Sequence, residues 1–130
     1  MIRALLVDDQ TLVRQGIRGL LELVDGIDIV AEAADGQEGL DAVIRHRPDI
    51  VLLDLRMPRF DGLFLLNALR DAAIDVPVLV LTTFDDDELV LQALRSGARG
   101  YLLKDVTLDQ LASAVRTVAG GGTLVQPAIT

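Results

Sequence analysis

Short apolar runs of strand length recur five times along the chain. They are rich in Val, Ile and Leu, show no alternation of apolar and polar residues, and lie at 4–7, 28–33, 49–54, 76–82 and 100–104. Continuous runs of this kind are typical of strands covered on both faces, as in parallel sheets flanked by helices. The pattern therefore predicts five buried, parallel strands.

Segments with helical spacing of apolar residues separate these runs. The first begins at Thr11 and ends at Asp25 and Gly26, and the others cover 37–45, 63–70, 86–95 and 108–119. Strands that alternate with helices form βαβ units, whose crossovers are right-handed in about 98% of cases. We therefore predict an α/β fold, a doubly wound parallel sheet of five βα units. A closed eightfold barrel would need roughly twice this length.

The chain changes character after the last predicted helix. Three glycines at 120–122 are a strong helix stop, and the residues that follow, TLVQPAIT, are too apolar for a solvated tail and too few for a domain. We therefore predict one domain over 1–119 and, over 120–130, the start of a linker whose continuation is absent.

Composition and charge narrow the class of protein. The 130 residues are 51% hydrophobic, which is enough for one packed core, yet no apolar stretch approaches the roughly 20 residues of a membrane span. The N-terminus lacks a signal-peptide pattern and there is no cysteine, so we expect a cytoplasmic protein with no membrane association. The net charge of -8 is the opposite of a nucleic-acid footprint, so these residues alone are not expected to bind DNA.

Polar side chains follow four of the five predicted strands. Asp8 and Asp9 come after the first strand, Asp54 ends the third, Thr82 ends the fourth and Lys104 ends the fifth. Parallel strands all end at one edge of the sheet, and ligands bind there beside the topological switch point. Three carboxylates brought together repel one another unless a pKa rises or a cation binds, and oxygen ligands suit Mg²⁺. The pattern predicts a Mg²⁺ site beside a position for phosphate.

The same residues are those that phosphoryl transfer to a carboxylate requires. Asp54 can act as a nucleophile that becomes an aspartyl phosphate, while Mg²⁺ at Asp9, with Asp8 near it, neutralises phosphoryl oxygens. Lys104 and the Thr82 hydroxyl can pair with the remaining oxygens. Taken singly, each residue is as well explained as a helix cap, a turn residue or a solvated strand end. Their joint occurrence favours the phosphoryl site.

Two further segments carry weaker signals. In the loop RMPRFDG at 56–62, Pro58 fixes φ and Gly62 permits a left-handed conformation, which predicts either a shaped loop or an ordinary turn. The acidic run DDDE at 85–88 is expected to charge the first turn of the fourth helix, where the helix dipole favours it.

Four motifs occur in a fixed order: VDDQ, DIVLLDLRMPRFDG, VLVLTTF and ARGYLLKD. Together they resemble the receiver domain of two-component response regulators, over residues 2 to about 119. The resemblance implies a flavodoxin-like fold with strand order 2-1-3-4-5, and phosphorylation of Asp54 by a sensor histidine kinase. The string GYLLKD, the last helix and the tail are similar to the NarL/FixJ-type subfamily, which continues into a LuxR-like helix-turn-helix. That subfamily implies a phosphorylation-dependent homodimer that contacts DNA only through a C-terminal domain, absent here.

The resemblance also implies a role for each residue of the site. By position, Asp9 and Asp54 look like direct Mg²⁺ ligands together with the backbone carbonyl of Arg56, and Asp8 looks like an acidic partner that acts largely through water. The implied class is a phosphoacceptor with self-phosphorylation and autodephosphorylation only, and not a conventional enzyme.

Three more positions match the signalling part of the family pattern. Thr82 matches the switch hydroxyl, Lys104 the lysine that pairs with phosphate, and Tyr101 the switch aromatic. The ring of Tyr101 is expected to enter from solvent the space that Thr82 vacates as it moves toward the phosphoryl group. Many receivers have Pro after the lysine, often with a cis bond, but Asp105 follows Lys104 here.

Three other functions fit parts of the pattern. A stand-alone receiver would have the same site with no output domain. A Mg²⁺-dependent phosphohydrolase that passes through an aspartyl phosphate needs a carboxylate soon after the nucleophile, where this chain has Arg56, and a capping insertion for which there is no room. A pure interaction module would not need the complete set of site residues.

Overall fold

The computed structural model describes residues 1–83 and 87–124, over which strands and helices alternate. The strands are β1 (Ile2–Val7), β2 (Ile27–Ala33), β3 (Ile50–Leu53), β4 (Val78–Thr82) and β5 (Gly100–Leu103). The helices are α1 (Thr11–Leu21), α2 (Gly36–His46), α3 (Gly62–Asp71), α4 (Asp87–Arg95) and α5 (Leu108–Ala119). Within these ranges no helix combines the length and the apolar character needed to cross a membrane.

The strands form one parallel sheet in the order β2-β1-β3-β4-β5. This confirms the flavodoxin-like α/β fold and the strand order. The chain adds β2 on one side of β1 and β3 on the other, so the strand order switches between β1 and β3. The last residues of these two strands, Val7 and Leu53, lie side by side in register. Asp8 and Asp54, each the next residue along the chain, therefore leave the sheet at its switch point.

Two apolar layers, one on each face of the sheet, explain why the strand sequences are apolar throughout. One layer joins the sheet to α2, α3 and α4 and includes Leu5, Val7, Val43, Val51, Leu53, Leu65, Leu69, Val80, Val90 and Tyr101. The other joins it to α1 and α5 and includes Ala4, Leu6, Leu21, Ile50, Leu52, Leu79, Leu81, Leu111 and Val115. Successive strand residues point to opposite layers, so both faces are buried.

The first helix ends earlier than its apolar spacing predicts. It closes at Leu21, and the next backbone bonds run from Leu23 to the Leu20 carbonyl and from Val24 to the Leu21 carbonyl, both three residues back. These bonds form a tight turn that leaves Leu23 exposed and returns Val24 to the core. The prediction of a helix as far as Asp25 is wrong because the turn packs Val24, partly buried, against the apolar layer without continuing the helix.

The residues after α5 return to the sheet. Leu124 forms a parallel bridge beside Gly100, with its N–H donating to the Arg99 carbonyl at 3.0 Å and its carbonyl accepting from the Tyr101 N–H at 3.0 Å. A Cβ on Gly100 would lie 2.7 Å from the Leu124 carbonyl oxygen, so glycine allows this close approach. Of the predicted linker at 120–130, the last six residues, 125–130, lie outside the described residues.

The loop between β3 and α3 is shaped, but not by the glycine that the sequence suggests. Arg59 takes the left-handed conformation, with φ of 64°, whereas Gly62 has no positive φ. Gly62 is needed for close packing instead. A Cβ there would lie 2.8 Å from both the Asp54 carbonyl oxygen and the Leu55 Cα. This glycine therefore lets α3 begin directly against the backbone that carries Asp54.

Replacing Gly62 by alanine should destabilise the domain because the added methyl group meets backbone that cannot move aside. We expect Gly62→Ala to lower the free energy of unfolding in urea by about 1–3 kcal/mol, the usual cost of overpacking. Gly19→Ala is the matched control, since a Cβ on this α1 glycine has no atom within 4 Å. That change should be neutral or stabilise by up to about 1 kcal/mol. Equal effects of the two substitutions would contradict the packing role of Gly62.

Candidate functional site

The turn between β1 and α1 holds the first acidic residue in place. The Asp8 N–H donates to the Ala33 carbonyl at 3.0 Å, and its Oδ1 accepts the Gln10 N–H at 2.8 Å. The second bond is a local turn in which an aspartate side chain accepts from the backbone two residues ahead. Asp8 is buried, and Asp9 next to it is exposed.

Asp54 emerges from the end of β3. Its N–H donates to the Val7 carbonyl at 2.9 Å, which continues the ladder between β1 and β3 by one residue. The residue is 9% exposed, and its carboxylate accepts a hydrogen bond from the backbone N–H of Arg56. Its backbone is therefore fixed by the sheet, and its side chain by the start of the following loop.

The three carboxylates meet, as the strand ends predict. One oxygen each of Asp8, Asp9 and Asp54 can be chosen so that all three lie within 4.8 Å of one another. We call these three residues the acidic cluster. A set of oxygen ligands alone is the kind that Mg²⁺ and Ca²⁺ prefer, and a hard divalent cation would relieve the repulsion between the carboxylates. The residues therefore fit a divalent metal.

Lys104 reaches the acidic cluster from the end of β5. Its Nζ lies 3.2 Å from Asp8 Oδ2 and 3.5 Å from Asp54 Oδ2. Its backbone N–H donates to the Thr82 carbonyl at 2.8 Å, so the fifth strand is tied to the fourth where the side chain turns toward the site. One ammonium group cannot balance three carboxylates, and the site keeps an excess of negative charge.

The carboxyl group of Asp54 has an altered acidity. Burial raises its pKa to about 6 from the ordinary 3.8, because the charged form loses hydration. The Lys104 ammonium opposes the rise, the Asp8 carboxylate adds to it, and the Arg56 N–H opposes it. Desolvation outweighs the lysine, so Asp54 holds its proton more tightly than an exposed aspartate does.

Thr82 and Tyr101 lie on the neighbouring strands β4 and β5. Thr82 is 1% exposed, and its hydroxyl donates to the Thr83 carbonyl at 3.2 Å. Tyr101 is 2% exposed and packs in the layer that includes Val90 and Ala93 of α4. The expectation that its ring starts in solvent is wrong for this structure, because Tyr101 is buried in this apolar layer although β5 is the last strand of the sheet.

Some contacts of the site involve backbone atoms that residue identity does not reveal. The Gln10 and Arg56 N–H groups bind carboxylates, and Arg14 Nη1 donates to the Asp8 carbonyl at 2.6 Å. The signal for the last contact was a basic residue in the first turn of the helix that follows the acidic pair. No cis peptide bond occurs over 1–83 and 87–124, which include Lys104 and Asp105.

The acidic start of α4 is described only in part. Asp87 and Glu88 occupy its first turn, as the sequence predicts. The other two residues of the acidic run, at 85 and 86, lie outside the described residues.

Comparison with protein families identifies the family of the chain. A family model described as the response regulator receiver domain matches residues 4–116, most of the chain. The chain belongs to the response regulator receiver domain family. It is therefore the receiver domain of a response regulator in two-component signalling, with the fold and motif order that the sequence predicts.

Curated relatives of the receiver domain are longer proteins. The transcriptional regulatory protein LnrK of Bacillus subtilis (strain 168) is 42% identical over 130 residues, which are 100% of this chain and 59% of LnrK. The oxygen regulatory protein NreC of Staphylococcus carnosus (strain TM300) is 38% identical over 99% of this chain and 60% of NreC. The chain thus spans about three-fifths of the length of these NarL/LuxR-family relatives.

Solved structures show the same fold. A two-component response regulator of the LuxR family from Aurantimonas sp. SI85-9A1 has a TM-score of 0.90 at 32% identity, over 99% of this chain and 92% of that one. A signal receiver domain from Mycobacterium tuberculosis, designated NarL, has a TM-score of 0.86 at 38% identity, over 92% and 97% of the two chains. The receiver domain here is similar to both over nearly its whole length.

The stability of the metal-free receiver domain should fall as pH rises from about 4 to 6. The folded state binds the Asp54 proton more tightly than the unfolded state, because the pKa is about 6 folded against 3.8 ordinarily. The free energy of unfolding should therefore decline through this window, by up to about 3 kcal/mol from this one group. Urea unfolding with a chelator present, at several pH values, measures the decline.

Asp54→Asn isolates the contribution of this carboxyl group to the pH profile. The variant has no proton to lose at position 54, so its free energy of unfolding should lack that part of the decline and exceed the wild-type value near pH 7. Parallel pH profiles for the wild type and the variant would show that Asp54 titrates normally.

Proposed function

We propose that this receiver domain accepts a phosphoryl group on Asp54 from a sensor histidine kinase, with Mg²⁺ as the cofactor. The observation that carries the proposal is the acidic cluster, in which Asp54 is held by the sheet, buried, and paired with Lys104. Receiver domains partner with sensor histidine kinases, and that pairing supplies the donor. The domain acts as a phosphoacceptor, with self-phosphorylation and autodephosphorylation as its only chemistry.

The transfer step needs a carboxylate oxygen of Asp54 as the nucleophile. This oxygen attacks the phosphorus of a phosphohistidine, so that a P–O bond forms and the P–N bond breaks. The electron pair of the broken bond stays on the imidazole nitrogen of the kinase. With a pKa of about 6, Asp54 is mostly ionised near neutral pH, any remaining proton is lost to solvent before attack, and the Lys104 ammonium at 3.5 Å favours the ionised form.

Asp9, Asp54 and the backbone carbonyl of Arg56 are the residues that would hold Mg²⁺, with Asp8 beside them. The bound ion would neutralise charge on the phosphoryl oxygens during transfer. The Lys104 ammonium, now between Asp8 and Asp54, would turn to a phosphoryl oxygen and neutralise a second part of that charge. Lys104 would thus exchange a carboxylate contact within the cluster for a contact to the phosphoryl group.

Thr82 and Tyr101 are the proposed switch pair. The Thr82 hydroxyl, which donates to the Thr83 carbonyl, would donate to a phosphoryl oxygen instead. Because the Tyr101 ring is already buried, its response is a rearrangement against α4 and not an entry from solvent. Such a rearrangement alters the surface formed by α4, β5 and α5, where a phosphorylation-dependent homodimer or an output domain can respond.

We also propose that residues 120–130 begin a linker to a C-terminal helix-turn-helix domain in a cytoplasmic transcription regulator. Two observations support this. The chain spans about three-fifths of LnrK, a transcriptional regulatory protein by name, and its net charge of -8 disfavours DNA contact by the receiver itself. A stand-alone receiver has the same site and differs only in its output.

Phosphorylation of Asp54 can be tested by intact mass after incubation with acetyl phosphate and Mg²⁺. The wild-type domain should gain one phosphoryl group, and Asp54→Asn should gain none. Asp71→Asn is the matched control, since this exposed carboxylate at the end of α3 lies outside the acidic cluster. It should be phosphorylated like the wild type. Removal of Mg²⁺ with a chelator, or the change Asp9→Ala, should slow the reaction at least about tenfold.

Two outcomes would contradict the proposal. A phosphoryl adduct that persists in Asp54→Asn would place the acceptor at another residue. An adduct that forms at the same rate with and without Mg²⁺ would remove the metal from the reaction.

A further inference from the structure

Arg14 links the first helix to the backbone of the acidic cluster. It lies in the first turn of α1, and its guanidinium makes two hydrogen bonds to different elements. Nη1 donates to the Asp8 backbone carbonyl at 2.6 Å, and Nε donates to Glu32 Oε1 on β2 at 3.2 Å. The Arg14 and Glu32 side chains are 16% and 24% exposed, so this is a partly buried pair and not a solvated one.

The carbonyl that Arg14 binds belongs to the peptide group that joins Asp8 to Asp9. The rotation of this peptide group decides where the Asp9 backbone, and with it the Asp9 carboxylate, stands relative to Asp8. On the Asp8 side the chain is fixed by the Ala33 carbonyl and by the Gln10 N–H. The guanidinium fixes the Asp8 carbonyl itself, with a charge-assisted hydrogen bond.

Glu32 holds the Arg14 guanidinium from the other side. It also accepts a hydrogen bond from Arg18, one helical turn further along α1, which pairs with Glu22 as well. The two arginines, Arg18 first, keep the pKa of Glu32 below its usual range, so it stays ionised as their shared partner. Arg14 therefore has little freedom to leave the Asp8 carbonyl.

We propose that Arg14 is a positioning residue for the metal site: it sets the Asp8–Asp9 peptide group through the Asp8 carbonyl, and so prepares the two carboxylates to bind a divalent cation together with Asp54. The inference rests on the proposed function, because it concerns how that site is organised. Groups that orient metal ligands in this way typically change metal affinity by 10- to 100-fold when they are removed.

Arg18 supplies a matched control within the same network. It carries the same charge, lies on the same helix and binds the same carboxylate, Glu32, but its described contacts do not include Asp8. Arg14→Gln and Arg18→Gln thus both remove one positive charge and one bond to Glu32. They differ in the hydrogen bond to the Asp8 carbonyl, which Arg14 makes, and in the exposed ion pair with Glu22, which Arg18 makes.

The test is a titration of each purified variant with MgCl₂, followed by the backbone amide NMR signals of the β1–α1 turn. We expect Arg14→Gln to raise the dissociation constant for Mg²⁺ about tenfold, and Arg18→Gln to change it less than about twofold. Arg14→Lys keeps the charge but cannot donate to both partners in the same geometry, so it should recover only part of the affinity. Thermal unfolding of all three variants measures the structural cost separately.

Each outcome decides the inference. Equal Mg²⁺ affinity for Arg14→Gln and Arg18→Gln would overturn it and leave the proposed function standing, since the wild type would still bind the ion. An absence of any Mg²⁺-dependent shift in the wild type would overturn both. If Arg14→Gln does not fold, full affinity in Arg14→Lys would show that charge, and not the geometry of the guanidinium, is what matters.

Discussion

Repulsion among three carboxylates is the constraint on which this receiver domain depends. The sheet places Asp8 and Asp54 side by side at the ends of β1 and β3, and Asp9 follows within 4.8 Å. These charges take no part in the packing of the apolar core. Among the described residues, the ammonium group of Lys104 pairs with two of the three carboxylates. The cluster persists because the strands beneath it are buried on both faces and cannot shift to separate the charges. The apolar core stabilises the fold, and repulsion between the carboxylates at the carboxyl edge of the sheet destabilises it.

That arrangement gives the site a carboxyl group of altered acidity in addition to its negative charge. A buried carboxyl with a pKa of about 6 changes its proton occupancy within about one pH unit of that value, and in the proposed function it would meet a cation and a phosphoryl group. The neighbouring groups are held by backbone bonds: the Arg56 N–H on Asp54, the Gln10 N–H on Asp8 and Arg14 on the Asp8 carbonyl. In the proposed function, preorganisation of this kind would hold the ligands in place before a metal ion or a phosphoryl group binds.

The fold and the convergence of the site were predictable because they follow from local periodicity and from where polar residues stand at strand ends. Features that depend on packing between elements were not. Apolar spacing could not show that α1 stops at Leu21, because a turn and not a helix brings Val24, partly buried, against the apolar layer. Nor could it show that α3 begins so close to the Asp54 backbone that glycine is needed at position 62. It also could not show that Tyr101 packs in the same apolar layer as α4. These features depend on which helix or strand packs against each residue. The spacing of apolar residues along the chain does not give that information.

The proposed function divides the roles of three adjacent carboxylates: Asp54 takes the phosphoryl group, and Asp8 and Asp9 do not. The most direct measurement locates the acyl phosphate in the wild-type chain, without substitutions that disturb the cluster. Borohydride reduces an acyl phosphate to an alcohol, so the modified aspartate becomes homoserine and can be read by peptide sequencing in a mass spectrometer. After phosphorylation with Mg²⁺ we expect homoserine at position 54 alone. Homoserine at position 8 or 9, or at several positions, would contradict the division of roles.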